Sequence, residues 1–341
     1  MIWSELSLRS FLIKRIAYTI LLVFFVILLN WVIFEAMPGV SGQLYSVLGV
    51  PNRLGAGEYQ KQLALYGLDK PYWERFYLYV RNMLTFQFGY SYQSNQAVAS
   101  QLISSGRLVN TLTLLGASTV ISIVLGVLLG ILVSRKRGSG LDNFWVTSSL
   151  TTFSLPTFFM GILFIFVFAD VLGWFPAGGA YPNSWDNVAN PQLLPNFWVQ
   201  ILVRLQHLFL PALTLTAFSY GGFLLLTRAT MGEALSEDYI LTAKAKGLRE
   251  RAILMRHAFK NASLPIITSS ALSFGSILSG AIITETIFDW PGLGKWLFDA
   301  VQYKDFPVMQ AMFFIIALSV IAANFISDIL YGVVDPRIRY E

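Results

Sequence analysis

The sequence contains no cysteine and only two histidines, His207 and His257. Disulfides, thiolate metal sites and cysteine nucleophiles are excluded, and the redox state of the compartment leaves no trace in the sequence. Two isolated histidines are a poor basis for a metal centre, so packing or hydrogen bonding is the plainer role for His257. Charge is scarce too. Asp, Glu, Lys and Arg make up 13% of the 341 residues, whereas 55% are apolar. That charge share is about half of what a soluble globular chain carries. With a mean hydropathy of +0.60, such a chain has too little polar surface to fold as a soluble domain. No Ser/His/Asp arrangement or paired-carboxylate site is discernible. A phosphate-cradling loop of the form Gly-x4-Gly-Lys-Ser/Thr is also missing, because the one Gly-Lys pair, Gly294-Lys295, is followed by Trp296. The chain is therefore not expected to be an enzyme or to bind a cofactor itself.

What the chain has in quantity is long apolar runs. A bilayer core takes roughly 20 apolar residues as helix, and six segments qualify: Ile16–Ala36, Thr111–Ser134, Asn143–Ala169, Leu205–Thr227, Leu264–Phe288 and Pro307–Gly332. The first follows Lys14-Arg15 and ends without a small-residue cleavage site, as a retained signal anchor does. Basic residues set the orientation. With both termini in the cytoplasm, Arg9, Lys14, Arg15, the run Arg135-Lys136-Arg137, the basic residues of Arg228–Lys260, and Arg337 and Arg339 all lie inside. The short outer loops then hold only Arg204, Lys295 and Lys304. The 24 basic residues thus sit between apolar runs and do not build a nucleic-acid-binding surface. Phe, Tyr and Trp, at 27, 15 and 9 copies, suit a chain that fills hydrocarbon and anchors at its interfaces.

Within this frame the expectation is an all-α polytopic protein. It comprises a first segment and helix (1–36), an extracytoplasmic loop region (37–110), a transmembrane domain (111–332) with an inner loop at 228–263, and a cytoplasmic tail (333–341). Tyr72–Met83 carries aromatics at helical spacing and suits a helix that lies along the membrane surface or, more plainly, one that caps the bundle. Gly126-x-x-x-Gly130 and Ser276-x-x-x-Gly280 have the spacing that lets helices pack closely in lipid. Pro156 interrupts the third segment and is expected to kink it, which also makes it a possible gate element. The ionisable residues in or near the spans are Glu35, Asp170, Arg228, Glu285 and Asp328. All lie near predicted ends. Proton- or ion-coupled carriers place such groups nearer the midplane, which counts against a gradient-driven transporter. Arg228 reads as an inner-boundary anchor. Glu285 is a candidate for the gate or pathway, set against a packing or loop-ordering role.

The inner loop is the most informative stretch. Ser236 through Gly247 has the chemistry of a short capped helix. Ser236 is the expected N-cap, Glu237 and Asp238 place negative charge at the positive end of the dipole, and Lys244 and Lys246 stand at the other end. Gly247 is the C′ residue suited to a left-handed conformation. A second helix is expected from about Arg249 to Phe259, with Pro265 opening the next span. The apolar side of the first helix (Tyr239, Ile240, Ala243) is too small to bury alone. Composition leaves two readings open, a lipid-surface helix or a docking element for a soluble partner.

The run Asp238-Tyr-Ile-x-Thr-Ala-x-Ala-Lys-Gly-Leu248, followed by Arg256-His-Ala-x-x-Asn261-Ala and Leu264-Pro265, resembles the inner-membrane permeases of ABC importers, in particular the oligopeptide/dipeptide/nickel permease family. Ala243-x-x-x-Gly247 corresponds to the alanine–glycine core of the importer coupling loop, and Leu241 stands where the general pattern has Glu. The resemblance extends over nearly the whole chain. It includes Met37-Pro-Gly39, Tyr66-Gly-Leu-Asp-Lys-Pro71, Phe88-Gly-Tyr-Ser91 and Asn110-Thr-Leu112, with Val109 in place of the usual Pro. It continues through Ser154-Leu-Pro156-Thr-Phe158, Leu172-Gly-Trp-Phe-Pro-Ala-Gly178, Glu285-Thr-x-Phe288, Trp290-Pro-Gly-Leu-Gly294 and Asp335-Pro-Arg337.

This resemblance implies the six-span type I importer permease fold in the cytoplasmic membrane. It also implies a second homologous permease, two cytoplasmic ATPases that hold ATP and Mg, and an extracytoplasmic binding protein. The coupling helix would be about 236–248, with Tyr239, Ala243, Gly247 and Leu248 as contacts and Glu237, Asp238, Lys244 and Lys246 as rim charges. Peptides, nickel and oligosaccharides are all carried by relatives of this kind. A gradient-driven carrier and a scaffold without a solute path are the competing classes.

Overall fold

A computed structural model describes residues 8–36, 70–185, 195–275 and 282–334. The Met37-Pro-Gly39 motif, most of the Tyr66–Pro71 run, the Ser276-x-x-x-Gly280 pair and Asp335-Pro-Arg337 lie outside the described residues. The described chain is helical, with one isolated β-bridge between Tyr90 and Ala97. In chain order the helices are α1 (Leu8–Trp31, closed by a π-turn Val32–Ala36), α2 (Tyr72–Leu84), α3 (Val98–Ser104), α4 (Arg107–Ser134), α5 (Gly140–Ser154) and α6 (Thr157–Phe164, extended by a π-segment Ile165–Val171). They continue as α7 (Phe197–Ser236), α8 (Asp238–Ala245), α9 (Glu250–Ala252, leading into a π-segment Ile253–Ala258), α10 (Phe259–Gly275), α11 (Ile282–Ile287), α12 (Leu293–Tyr303) and α13 (Phe306–Val334).

Among the described residues, four helical stretches are long and apolar enough to cross a membrane: Ile13–Glu35, Arg107–Ser134, Phe197–Ser236 and Phe306–Ile326. A fifth crossing is available only if α5 and α6 count together, and these two meet at 104°. The expected single kinked span over Asn143–Ala169 is thus two helices. The reason is local. Proline pushes its predecessor out of the helical region, and Leu155 is extended at φ −80, ψ 136, while Pro156 serves as the N-cap of α6. The fourth expected span, Leu205–Thr227, is a fragment of a 40-residue helix that continues through Pro211. At 1.5 Å per residue that helix is about 60 Å long, well beyond the ~30 Å hydrocarbon core. The helix at Phe259 likewise continues through Pro265.

The chain divides into two compact units. Among the described residues, the first comprises 8–36, 70–111 and 291–325. In it Glu35, at the end of α1, is buried against Arg75 of α2 at 2.8 Å. Gln310 Nε2 donates to the same carboxylate at 3.4 Å, and Asn30 Nδ2 donates to the Gln310 carbonyl at 3.1 Å. Trp31 meets Tyr72 and Phe76 edge-on. These contacts hold α2 across the end of α1 while Trp73, Tyr77 and Leu84 remain exposed, so α2 is packed on one face only. Asp305 is buried and gathers the Ser91–Gln93 loop, accepting from Ser91 Oγ and from the backbone N–H groups of Tyr92 at 3.1 Å and Gln93 at 3.3 Å. Burial first, then the carboxylates of Glu35 and Asp305, push the Tyr92 phenol far above its usual value, so it stays neutral.

Two of the sequence fragments singled out above meet in this unit. Asn110 Nδ2 donates to the Pro291 carbonyl at 2.9 Å, and the Leu293 N–H donates to Thr111 Oγ1 at 2.8 Å. Arg107 lies over the Trp296 ring at 4.4 Å. The start of α4 is thereby fastened to the loop before α12.

The second unit comprises, among the described residues, 112–185, 195–275, 282–290 and 326–334. Within it α4 approaches α7 closely, which relies on Gly126 and Gly130. A Cβ at Gly126 would fall 2.5 Å from the Phe223 Cβ and the Tyr220 carbonyl. One at Gly130 would fall 2.5 Å from the Thr227 Cβ. The small-residue pair read from the sequence is thus a close helix crossing.

Candidate functional site

The inner loop builds a short exposed helix on a packed base. α8 begins with Glu237 as N-cap (φ −76, ψ 149) and without a side-chain cap. Ser236, the expected N-cap, instead closes the preceding helix: its hydroxyl donates back to the Glu233 carbonyl at 2.7 Å. The long α7 extends one residue further than the capping pattern suggested, and its last serine is spent inside it. At the other end the expectation holds in detail. Gly247 has φ +70, its N–H donates to the Lys244 carbonyl at 2.9 Å, and the Leu248 N–H donates to the Ala243 carbonyl at 3.3 Å. These two bonds are a Schellman closure.

α8 is mounted by a narrow apolar side. Ile240 is 1% exposed and Ala243 4% exposed, and both pack in one cluster with Met231, Ala234, Ile253, Leu254, Ala258 and Ala262. Tyr239 is half-buried at its edge. The apolar face that looked too small to bury alone is completed by the end of α7 and the π-segment. Ala243 therefore faces its own unit and is not a surface contact, whereas Leu241, 68% exposed, takes the outward position. Glu237, Asp238, Lys244, Lys246, Gly247 and Leu248 are exposed. His257 is half-buried in the π-segment; π-turns within helices recur at functional sites.

The base of this element is fastened by a pair that sequence reading missed. Asp142, fully buried near the start of α5, accepts from Arg228 Nε at 2.6 Å and Arg228 Nη2 at 2.7 Å. The Gly138 N–H adds a third bond at 2.8 Å. Arg228, expected as a boundary anchor, is instead the cation of a planar, two-bond fork. Arg137 Nη2 donates to the carbonyls of Arg228 and Ala229 at 2.7 and 3.3 Å. It lies so close over Gly232 that a Cβ there would be 1.6 Å from it. The α4–α5 turn thus grips α7 two turns before α8 begins. Asp142 had a legible local signal, since Ser139-x-x-Asp142 is a capping pattern, and Ser139 Oγ does accept the Asp142 N–H at 3.3 Å. Its partner, 86 residues away, had none.

Of the two gate candidates, Pro156 stands at the α5–α6 break. Glu285 is fully buried within its own unit, and its backbone carbonyl accepts the Trp290 N–H at 2.8 Å, which orders the turn after α11. The structure does not bring these two residues to the inner loop.

Residues 122–340 match the family described as the binding-protein-dependent transport system inner membrane component. The chain is 35% identical over 340 residues to the di/tripeptide transport system permease protein DppB of Pseudomonas aeruginosa, covering 97% of this chain and 99% of that protein. It is 33% identical to the oligopeptide transport system permease protein AppB of Bacillus subtilis, over 98% of this chain and 100% of that one. It is 34% identical to the glutathione transport system permease protein GsiC of Escherichia coli K12, over 97% and 99%.

Proposed function

The chain belongs to the family of binding-protein-dependent transport system inner membrane components, and on that premise we propose that it forms half of the translocation pathway of an ATP-driven importer for peptides. It is a non-catalytic, multi-pass subunit of the cytoplasmic membrane. The peptide assignment is supported by relatives named for di/tripeptide, oligopeptide and glutathione transport that match it over nearly their full length. Glutathione is itself a small peptide, so the three names share one chemistry. Nothing in this set favours a gradient-driven carrier.

The observation that carries the mechanism is α8: a short helix closed at its C-terminal end, exposed along most of its surface, and fixed by Ile240 and Ala243 to the end of a 40-residue helix. An element of this kind moves as a rigid extension of the span that bears it, which is what coupling to an outside motor requires. In this reading α8 sits in a cleft of one of two cytoplasmic ATPases, which bind the ATP and Mg. Tyr239, Leu241 and Leu248 supply apolar contact, Gly247 the close approach, and Glu237, Asp238 and Lys246 the charged rim, while Lys244 lines a pocket of its own unit. A homologous second permease completes the pathway, and a binding protein delivers substrate from outside. The transmembrane domain 111–332 contributes to six spans with both termini cytoplasmic. The break at Pro156 acts as a hinge of the gate, and Glu285 holds the turn after α11.

The test is purification of the tagged full chain from its own membrane in mild detergent, with mass spectrometry of its companions. A second permease and P-loop ATPases are expected. Repeated recovery of the folded chain alone would overturn the importer reading.

A further inference from the structure

Beside α8 the second unit holds an open pocket of about 400 Å³. Arg135 and Arg137 line it from the α4–α5 turn and Lys244 from α8, over a floor of Leu235, Ile253 and Leu254. The one acid in its wall, Glu250, is already paired with Arg135 at 3.1 Å. Arg137 uses Nη2 on two backbone carbonyls and keeps its remaining N–H donors. The Lys244 ammonium makes no ion pair or side-chain hydrogen bond among the described residues. The wall thus has more positive charge than its own acid can answer, beside apolar lining from Leu235, Ile253 and Leu254. Its depth is set by α4. That helix has 28 residues, about 42 Å, close to the ~40–45 Å of a bilayer with its headgroups. With the C-terminal end of α4 on the cytoplasmic side, as in the proposed topology, an upright helix of this length would bring Ser134 and the pocket beside it to the headgroup region.

We propose that this pocket binds a phosphate group, supplied by an anionic lipid headgroup or by free phosphate. Lys244 and Arg137 hold the phosphate oxygens, and the glycerol and upper acyl carbons of a lipid rest on Leu235, Ile253 and Leu254. Because Lys244 belongs to α8 and Arg137 to the α4–α5 turn, the bound anion bridges the coupling element to the bundle. The proposal rests on the permease reading only for the inner-leaflet location and for that consequence.

The test uses the full chain with whatever partners accompany it, delipidated in mild detergent. Phosphatidylglycerol or chain-matched phosphatidylcholine is titrated under native mass spectrometry, and inorganic phosphate is added separately with the melting temperature as readout. Retention of phosphatidylglycerol over phosphatidylcholine, lowered about two- to fivefold by Lys244→Gln and left unchanged by Lys260→Gln, supports a lipid source. No lipid preference, but a rise in melting temperature with inorganic phosphate that Lys244→Gln removes, supports free phosphate. Equal retention of both lipids with no effect of phosphate overturns the site, as does a Lys244→Gln chain indistinguishable from Lys260→Gln. Should Lys244→Gln not fold, Arg137→Gln read by the same assay replaces it. Recovery of ATPases in the same preparation reports on the permease reading separately, so the two failures are distinguishable.

Discussion

Asp142 shows how much one carboxylate can organise. It is fully buried, it accepts three hydrogen bonds, and two of them come from the in-plane N–H edge of Arg228. Removing one partner of such a pair leaves the other without compensation, here an Arg228 side chain that keeps 30% exposure, whereas removing both is far milder. Asp142→Asn is therefore expected to lower stability by about 2–4 kcal/mol, read as a fall in melting temperature. The double variant Asp142→Leu with Arg228→Met should regain most of that loss, and an additive double-mutant cycle would show that the fork is not a coupled pair. Gly247 is the second residue whose identity is dictated by geometry. At φ +70 an L side chain costs about 1–2 kcal/mol, so Gly247→Ala should fray the end of α8. In the assembled transporter this should reduce peptide-stimulated ATPase activity more than it reduces expression. Equal activity at equal expression would argue against a coupling role for the closed end.

At the scale of elements, the α4–α7 crossing and the α5–α6 break respond to opposite kinds of residue. Gly130 permits backbone contact that no side chain fits, whereas Gly116 on the same helix has nothing within 4 Å of its Cβ position. Gly130→Val is expected to cost about 1–3 kcal/mol through overpacking. Gly116→Ala should be neutral or slightly stabilising, because alanine is the better helix former. Thermal unfolding of the two variants side by side checks the contrast. At Pro156 the chain geometry wins over apolar content: the two helices together are apolar enough for a span, yet the proline and its extended neighbour end one helix and begin another. α8 is the element on which transport should depend most. Deleting 237–247 is expected to leave membrane insertion intact and to abolish ATPase association or coupling, measured by co-purification and uptake. Unchanged uptake would sink the coupling assignment.

For the whole molecule, the absence of cysteine becomes an experimental advantage, since single cysteines can be placed without background. Leu241 and Lys136 are expected to react with an impermeant thiol reagent only from the cytoplasmic side, and Gln93 and Lys304 only from the outside. Labelling of all four from one side would contradict the six-span arrangement with both termini inside. The arrangement also explains why this chain carries no nucleotide loop: in the proposed importer the spans supply a path and a lever, and the ATPases supply the energy.

Much of this was legible in one dimension. Scarce charge and long apolar runs determined a membrane protein, because hydrocarbon accepts little else. Capping chemistry around Gly247 located the short inner helix, because left-handed backbone strongly favours glycine. The Gly126/Gly130 spacing marked a close crossing, since helical period alone places both on one face. The tertiary structure decided the rest, because it depends on partners far away along the chain. It paired Arg228 with Asp142 and Asn110 with Pro291, turned Ala243 inward and Leu241 outward, and assigned Ser236 to the helix before it. It also brought Arg137 and Lys244 to the wall of one pocket. Local pattern reports what a residue can do with its neighbours within a turn or two; which of its faces is covered is set by helices that arrive from elsewhere.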